Sequence, residues 1–139
     1  MRIRPNTWDG AIIESVIMRN EYGLPSSMRG AVVLDIGAHI GAFVVACQKR
    51  GARRVICYEP DPENMELLAV NANEDIESRT DVIIVHAAVL GEGVHAGSLG
   101  VRRLTNHDYG AGRNTGHVDV FGEPDGTEAI GINDVIASV

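Results

Sequence analysis

The stretch VVLDIGAHIGAF, residues 32–43, joins an apolar run that closes on an acid to a second apolar run through two glycines, Gly37 and Gly41. The wholly apolar "AVVLDI" predicts a strand buried on both faces of a parallel sheet. "GAFVVACQKRG" is apolar first and basic last and stops on Gly51, which predicts a helix with a glycine cap. A glycine turn between such a strand and such a helix crosses the carboxyl edge of a sheet, where open α/β folds bind their ligands. Few other sequence features restrict a fold so strongly.

The flanking segments continue the alternation. "RRVICYE" predicts a second buried strand, and "PDPENMELLAVNANED" a helix capped by Asp61, with Pro62 in its first turn and Met65, Leu68, Ala69 and Ala72 on one face. "DVIIVHAAVL" predicts a third strand. Upstream, "NTWDGAIIESVIMRNEYG" places Trp8, Ile12, Ile13, Val16 and Ile17 at helical spacing, with Asn6 or Thr7 as N-cap and Gly23 as stop. Downstream, the glycine-rich residues 91–117 predict a loop with one short strand near "SLGVRRL". "HVDVFGEPDGTEAIGI" predicts an antiparallel hairpin turning at Pro124-Asp125-Gly126, and "NDVIASV" a last helix capped by Asn133. The expected architecture is α/β: a partial doubly wound parallel sheet with an added antiparallel hairpin, in a single domain over residues 1–139.

Composition narrows the function. A net charge of −7 repels phosphate backbones and anionic lipid, and 4% aromatic residues leave little to stack on bases, so nucleic-acid and membrane partners are not expected. Arg53-Arg54 and Arg102-Arg103 are isolated pairs and read as solvated surface. Cys47 and Cys57 lack any CxxC or zinc-ligand spacing and read as buried free thiols, so no metal is expected. With no signal-peptide pattern and no apolar run near the roughly 20 residues of a membrane span, the expected location is the cytoplasm.

The turn itself discriminates between ligands. A dinucleotide fingerprint needs G-x-G-x-x-G, and here the register is Gly37, His39, Ala42, so a histidine occupies the position where backbone must approach a pyrophosphate. No G-K-[ST] follows, which removes a P-loop. What remains is D-x-G-x-x-x-G, formed by Asp35, Gly37 and Gly41, with Glu59 at the carboxyl end of the second strand. A carboxylate there can accept the hydroxyl hydrogens of a ribose. A ligand without phosphates and with a cationic centre suits this set, and S-adenosylmethionine has that chemistry.

"VVLDIGAHIGAF", "RVICYEPDPENMELLAVNAN" and "VIIVHAAVLGEG" together resemble the FkbM family of S-adenosylmethionine-dependent methyltransferases, which mostly methylate hydroxyls of sugars and secondary metabolites. The likeness runs from about Tyr22 onward, and "EPDPEN" is its most telling part. The resemblance implies a Rossmann-like class I methyltransferase fold with S-adenosyl-L-methionine as cofactor. It implies that Asp35, Gly37, Ala38 and Gly41 border the methionine moiety, that Glu59 holds the ribose, and that Pro60, His86 and Ala87 flank the adenine. His39 stands where the family most often has asparagine.

No catalytic residue is assigned from sequence. The family's later "IKIDVEGAE"-like strand is absent from the chain, which therefore reads as an apparently truncated cofactor-binding part, too short to be a sure enzyme alone. His107, Asp108 and Tyr109 read as exposed loop residues, and Tyr22 as packing. The expected partner is a small-molecule acceptor, with a homodimer covering the open edge of the first strand unless the hairpin of residues 117–132 folds over it. A non-catalytic S-adenosylmethionine-binding module and, further off, an NAD-binding oxidoreductase are the alternatives.

Overall fold

A computed structural model describes residues 1–91, 99–103 and 118–137, with side chains over 1–91 and 127–137. Three parallel strands, β1 (Val32–Ile36), β2 (Arg54–Tyr58) and β3 (Asp81–Val85), form one sheet in the order β1-β2-β3. Helices α2 (Ala42–Lys49) and α3 (Pro62–Ala72) connect them. The pairing is without slippage: Asp35 lies opposite Cys57, which lies opposite Ile84, and Ile36, Tyr58 and Val85 end the three strands at one level.

Alternation along β2 explains the layering, because successive strand side chains point to opposite faces. Val55 and Cys57 join Val44, Cys47, Leu68 and Ala72 of the two helices in one core. Ile56 and Tyr58 pack on the other side against Ala87 and Val135. That second face is covered by another sheet, β4 (Ala87–Leu90), β5 (Leu99–Arg103) and β6 (Val118–Gly131), in the order β4-β6-β5, together with helix α4 (Ile132–Ala137). A third cluster joins Val16 to Ala42 and Ala46, seating the first helix on α2. Cys47 and Cys57 are free and buried, and burial pushes their thiols up to about 11 and about 12.

Several expectations are corrected. The first strand is half-buried, with Val32 and Ile36 exposed; among the described residues only β2 pairs with it, and β2 is the strand buried on both faces. "DVIIVHAAVL" is two strands broken at His86, because Ala87–Leu90 leaves the first sheet to pair parallel with β6. No hairpin forms at Pro124-Asp125-Gly126. β6 runs on from Val118 to Gly131, and its ladder with β5 jumps from Thr127 opposite Leu99 to Gly122 opposite Gly100. Proline has no N–H to give, so the segment bulges out of the ladder instead of reversing the chain. Residues 118–131 consequently pair with β4 and β5 and do not cover the β1 edge.

Three helix expectations also shift. α1 (Asp9–Ile13) passes directly into a π-helical turn, Glu14–Met18, and its N-cap is Trp8 without a side-chain bond, not Asn6 or Thr7. α4 starts at Ile132, which places Asn133 inside its first turn. In α3 the cap is Asp61, whose Oδ1 accepts from the Asn64 N–H at 3.0 Å as expected. The buried face, however, is Asn64, Leu68, Asn71 and Ala72, while Met65 and Ala69 are only half-buried. No helix among the described residues is long and apolar enough to cross a membrane.

Gly41 shows why the turn is glycine. Its φ is +87°, and a Cβ there would lie 2.7 Å from Leu68 Cδ1, inside the α2–α3 contact. Gly37 has φ +80° but a Cβ would meet nothing within 4 Å. Gly41→Ala is therefore expected to cost about 2–4 kcal/mol, combining left-handed strain with overpacking, against about 1–2 for Gly37→Ala. Urea unfolding of the two variants checks this; equal losses would mean that Leu68 swings aside freely.

Candidate functional site

The level strand ends put Gly37, Glu59 and His86 one residue past β1, β2 and β3, side by side at the carboxyl edge of the sheet. The glycine turn crosses this edge with its amides directed inward. Gly37 and Ala38 N–H both donate to the Tyr58 carbonyl, at 2.9 and 3.0 Å, and Gly41 N–H donates to Ala38 O at 2.9 Å. His39 N–H donates to Glu59 Oε2 at 2.7 Å. His39 itself has φ +52°, a conformation that asparagine and histidine tolerate better than most side chains. Gly37, Ala38, His39 and Gly41 thus give their amides to protein acceptors and do not offer them to a phosphate.

Glu59 is buried, and its carboxylate is the hub of the edge. Besides His39, the Asp61 N–H and the Asn64 side-chain amide donate to Oε1, at 2.9 and 3.2 Å. Burial pushes the Glu59 carboxyl up, and the bonds from Asp61, His39 and Asn64 pull it back. A carboxylate has about four acceptor positions. With two donors on Oε1 and one on Oε2, the Glu59 carboxylate retains one, on Oε2.

Asp35 is the opposite case. Its Oδ2 is buried and has no hydrogen-bond partner. Desolvation, followed by the nearby Glu59 charge, raises its carboxyl to about 6. Such a group is costly unless something pairs with it, and it faces a cavity of about 280 Å³ at the mouth of β1. Ile12, Val16, Tyr22 and Phe43 form the apolar wall of that cavity, and Gly37, Ala38 and His39 its turn side. Tyr22 meets Phe43 edge-on with ring centroids 5.1 Å apart. A cationic ligand with an apolar body is what this lining would accept.

The remaining expected residues fall into two groups. His86 is exposed and its Nε2 lies 3.0 Å from the Pro60 carbonyl; a carbonyl only accepts, so this nitrogen carries the proton. The pair bridges the ends of β2 and β3 on the open side. Ala87, by contrast, is fully buried where β4 of the second sheet packs on Ile56 and Tyr58. Arg102 and Arg103 lie in β5, but their side chains, and His107, Asp108 and Tyr109 entirely, are outside the described residues.

Sequence reasoning missed a buried polar cluster behind the turn. Arg4 forks onto Asp9, with Nε to Oδ2 at 2.9 Å and Nη2 to Oδ1 at 3.0 Å, and its Nη1 donates to Asn64 Oδ1 at 2.8 Å. The His39 ring approaches the same pair, Nε2 lying 3.6 Å from Asp9 Oδ1. Asn71 donates to Ile40 O at 2.8 Å and to Arg2 O at 3.1 Å, fastening the N-terminal segment to the turn. One signal was available: Asn64 and Asn71, seven positions apart, share the helix stripe of Leu68. Two amides on a buried stripe need partners.

No family model and no curated protein matches the chain. Among solved structures, the chain is similar to a candidate RNA methyltransferase from Pyrococcus horikoshii, with 33% identity and a TM-score of 0.38, over 50% of this chain and 33% of that one. It is also similar to a SAM-dependent methyltransferase of the DUF858 family from Leishmania major, with 15% identity and a TM-score of 0.39, over 63% of this chain and 43% of that one. The chain thus spans about a third of the first protein's length and under half of the second's. With both TM-scores below 0.5, the likenesses carry no weight for activity, and function is inferred from the site.

Asp35 makes a pH-dependent prediction. Its folded value of about 6 lies above the ordinary carboxyl range, so the folded state holds a proton that the unfolded chain releases. Stability should fall as pH rises from about 4 through 6. Asp35→Asn should remove Asp35's share of that slope and be the more stable protein at pH 8 by about 1–2 kcal/mol. Urea unfolding at pH 4, 6 and 8 checks it; parallel wild-type and variant curves would show that Asp35 is solvated.

Proposed function

We propose that this chain binds S-adenosyl-L-methionine across the carboxyl ends of β1 and β2 and serves a methyltransferase of FkbM-like, Rossmann-like class I type. The acceptor would be a hydroxyl of a sugar or secondary metabolite. The observation that carries the cofactor assignment is the orphaned, buried Asp35 Oδ2 at a cavity with one apolar wall, beside a turn with inward amides. The ammonium of a methionine tail would satisfy that oxygen, and its methylene stem suits Ile12, Val16 and Phe43. His39, standing where a dinucleotide fold has its middle glycine, disfavours the dinucleotide alternative.

When bound, the cofactor supplies a methyl group activated by a sulfonium. Asp35 would hold the tail, and the open face of Gly37, where a Cβ meets nothing, would lie along the ligand. Glu59 would use the acceptor position left on Oε2 for a ribose hydroxyl, while its other bonds keep the turn in place. Pro60 and His86 would border the adenine from the open side. The wall of Ile12, Val16, Tyr22 and Phe43 would pack along the ligand, and the rate gain would come chiefly from holding the reactants in line.

Calorimetry with S-adenosylmethionine, with NADH as the contrasting ligand, is the test. The wild type is expected to bind the former only. Asp35→Asn should bind about 10- to 100-fold more weakly, the range for a hydrogen bond to a charged group. Wild-type affinity should improve from pH 5 to 7 as Asp35 ionises, and stay flat in the variant. No binding by the wild type, or equal binding by Asp35→Asn, would sink the assignment. Incubation with labelled cofactor and sugar alcohols then separates a transferase from a module that only binds.

A further inference from the structure

The cluster behind the glycine turn is laid out as a relay. Arg4 is mostly buried, its side chain 15% exposed, and Asp9 fully so. Two guanidinium nitrogens and the Arg4 backbone N–H serve Asp9, the last at 3.0 Å. The third nitrogen, Nη1, goes to the Asn64 carbonyl oxygen at 2.8 Å. Guanidinium nitrogens only donate, so this contact settles which way the Asn64 amide faces. Its oxygen points to Arg4 and its nitrogen therefore to Glu59 Oε1, 3.2 Å away.

We infer that Arg4 is a positioning residue for the candidate cofactor site: through Asn64 it orients the Glu59 carboxylate, which in turn holds the His39 amide and the glycine turn. The ion pair with Asp9 anchors the guanidinium, and Asn71, bonded to Arg2 and Ile40, fastens the same N-terminal segment a second time. Residues 1–18 thereby do two things at the site, since the helix that follows Arg4 also supplies Ile12 and Val16 to the cavity wall. The effect on ligand affinity rests on the cofactor reading above; the effect on Glu59 does not.

The test uses the full chain and reads the His39 amide by proton–nitrogen NMR, without ligand and then with S-adenosylmethionine. A charge-assisted bond of 2.7 Å should place that amide proton far downfield and protect it from exchange. Arg4→Lys keeps a cation beside Asp9 but lacks the planar fork that serves Asp9 and Asn64 together. Asn64→Asp keeps an acceptor for Arg4 and turns an anionic oxygen on Glu59. Both should move the His39 amide upfield and speed its exchange at least tenfold, and both should weaken S-adenosylmethionine at least tenfold. Val55→Ala, a core cavity with no polar partner, should lower stability and leave the His39 amide where it is. If Arg4→Lys does not fold, Arg4→Met with Asp9→Leu removes both charges of the pair and is read in the same way. A His39 amide unchanged in these variants overturns the inference and leaves the cofactor reading intact. A shifted amide with undiminished affinity overturns the role at the cofactor site. A shifted amide in a protein whose wild type binds no S-adenosylmethionine upholds the orientation of Glu59 and removes the cofactor reading alone.

Discussion

The buried carboxylate of Glu59 is the interaction on which the rest of the edge depends. Its three donors come from three places in the chain: the turn after β1, the residue that caps α3, and the first turn of α3 itself. An acid buried to this degree is destabilising unless those donors converge on it, and each donor belongs to backbone or amide groups that would otherwise be unsatisfied. The strand ends, the glycine turn and α3 are consequently held in one arrangement. The α2–α3 contact at Gly41 and Leu68 closes the same unit from the helical side.

Asp35 and Glu59 are the same chemistry in two environments. Glu59 is satisfied by the protein and has a structural duty before it has any other. Asp35, beside a cavity, has an orphaned oxygen and is raised toward neutrality by burial. Strained or unsatisfied groups in an otherwise consistent fold mark functional positions, because stability alone would have removed them. The distinction gives Glu59 an anchoring duty that the sequence motif did not announce, and leaves Asp35 as the acid with an unpartnered oxygen.

Periodicity located α2, α3 and the three strands of the first sheet because each has a clear apolar rhythm and a physical stop. It failed where one segment had two admissible partners. "DVIIVHAAVL" is continuous in hydrophobicity, yet only its first half pairs with β2, and nothing in its own residues announces the break at His86. Pro124-Asp125-Gly126 is a strong turn signal locally, but β6 pairs with β5 before and after it and passes it as an irregularity in that ladder. The stripe of α3 was displaced because apolar residues were assumed to be the buried ones. Asn64 and Asn71 are buried instead, since Glu59, Arg4, Arg2 and Ile40 supply their bonds.

By itself the sequence determined the local units: a strand carrying Asp35 near its end, a turn built on Gly37 and Gly41, a helix capped by Asp61, and a second acid at the next strand end. These follow from short-range sterics and from the spacing of apolar residues, which neighbours in sequence settle. The tertiary structure decided what those units do. Parallel pairing in strict register set Gly37, Glu59 and His86 side by side, and packing of residues far apart in the chain left Glu59 satisfied and Asp35 not. Burial and hydrogen-bond partnership are properties of the assembled neighbourhood, so the pairing of Arg4 with Asn64, 60 residues apart, could arise only there.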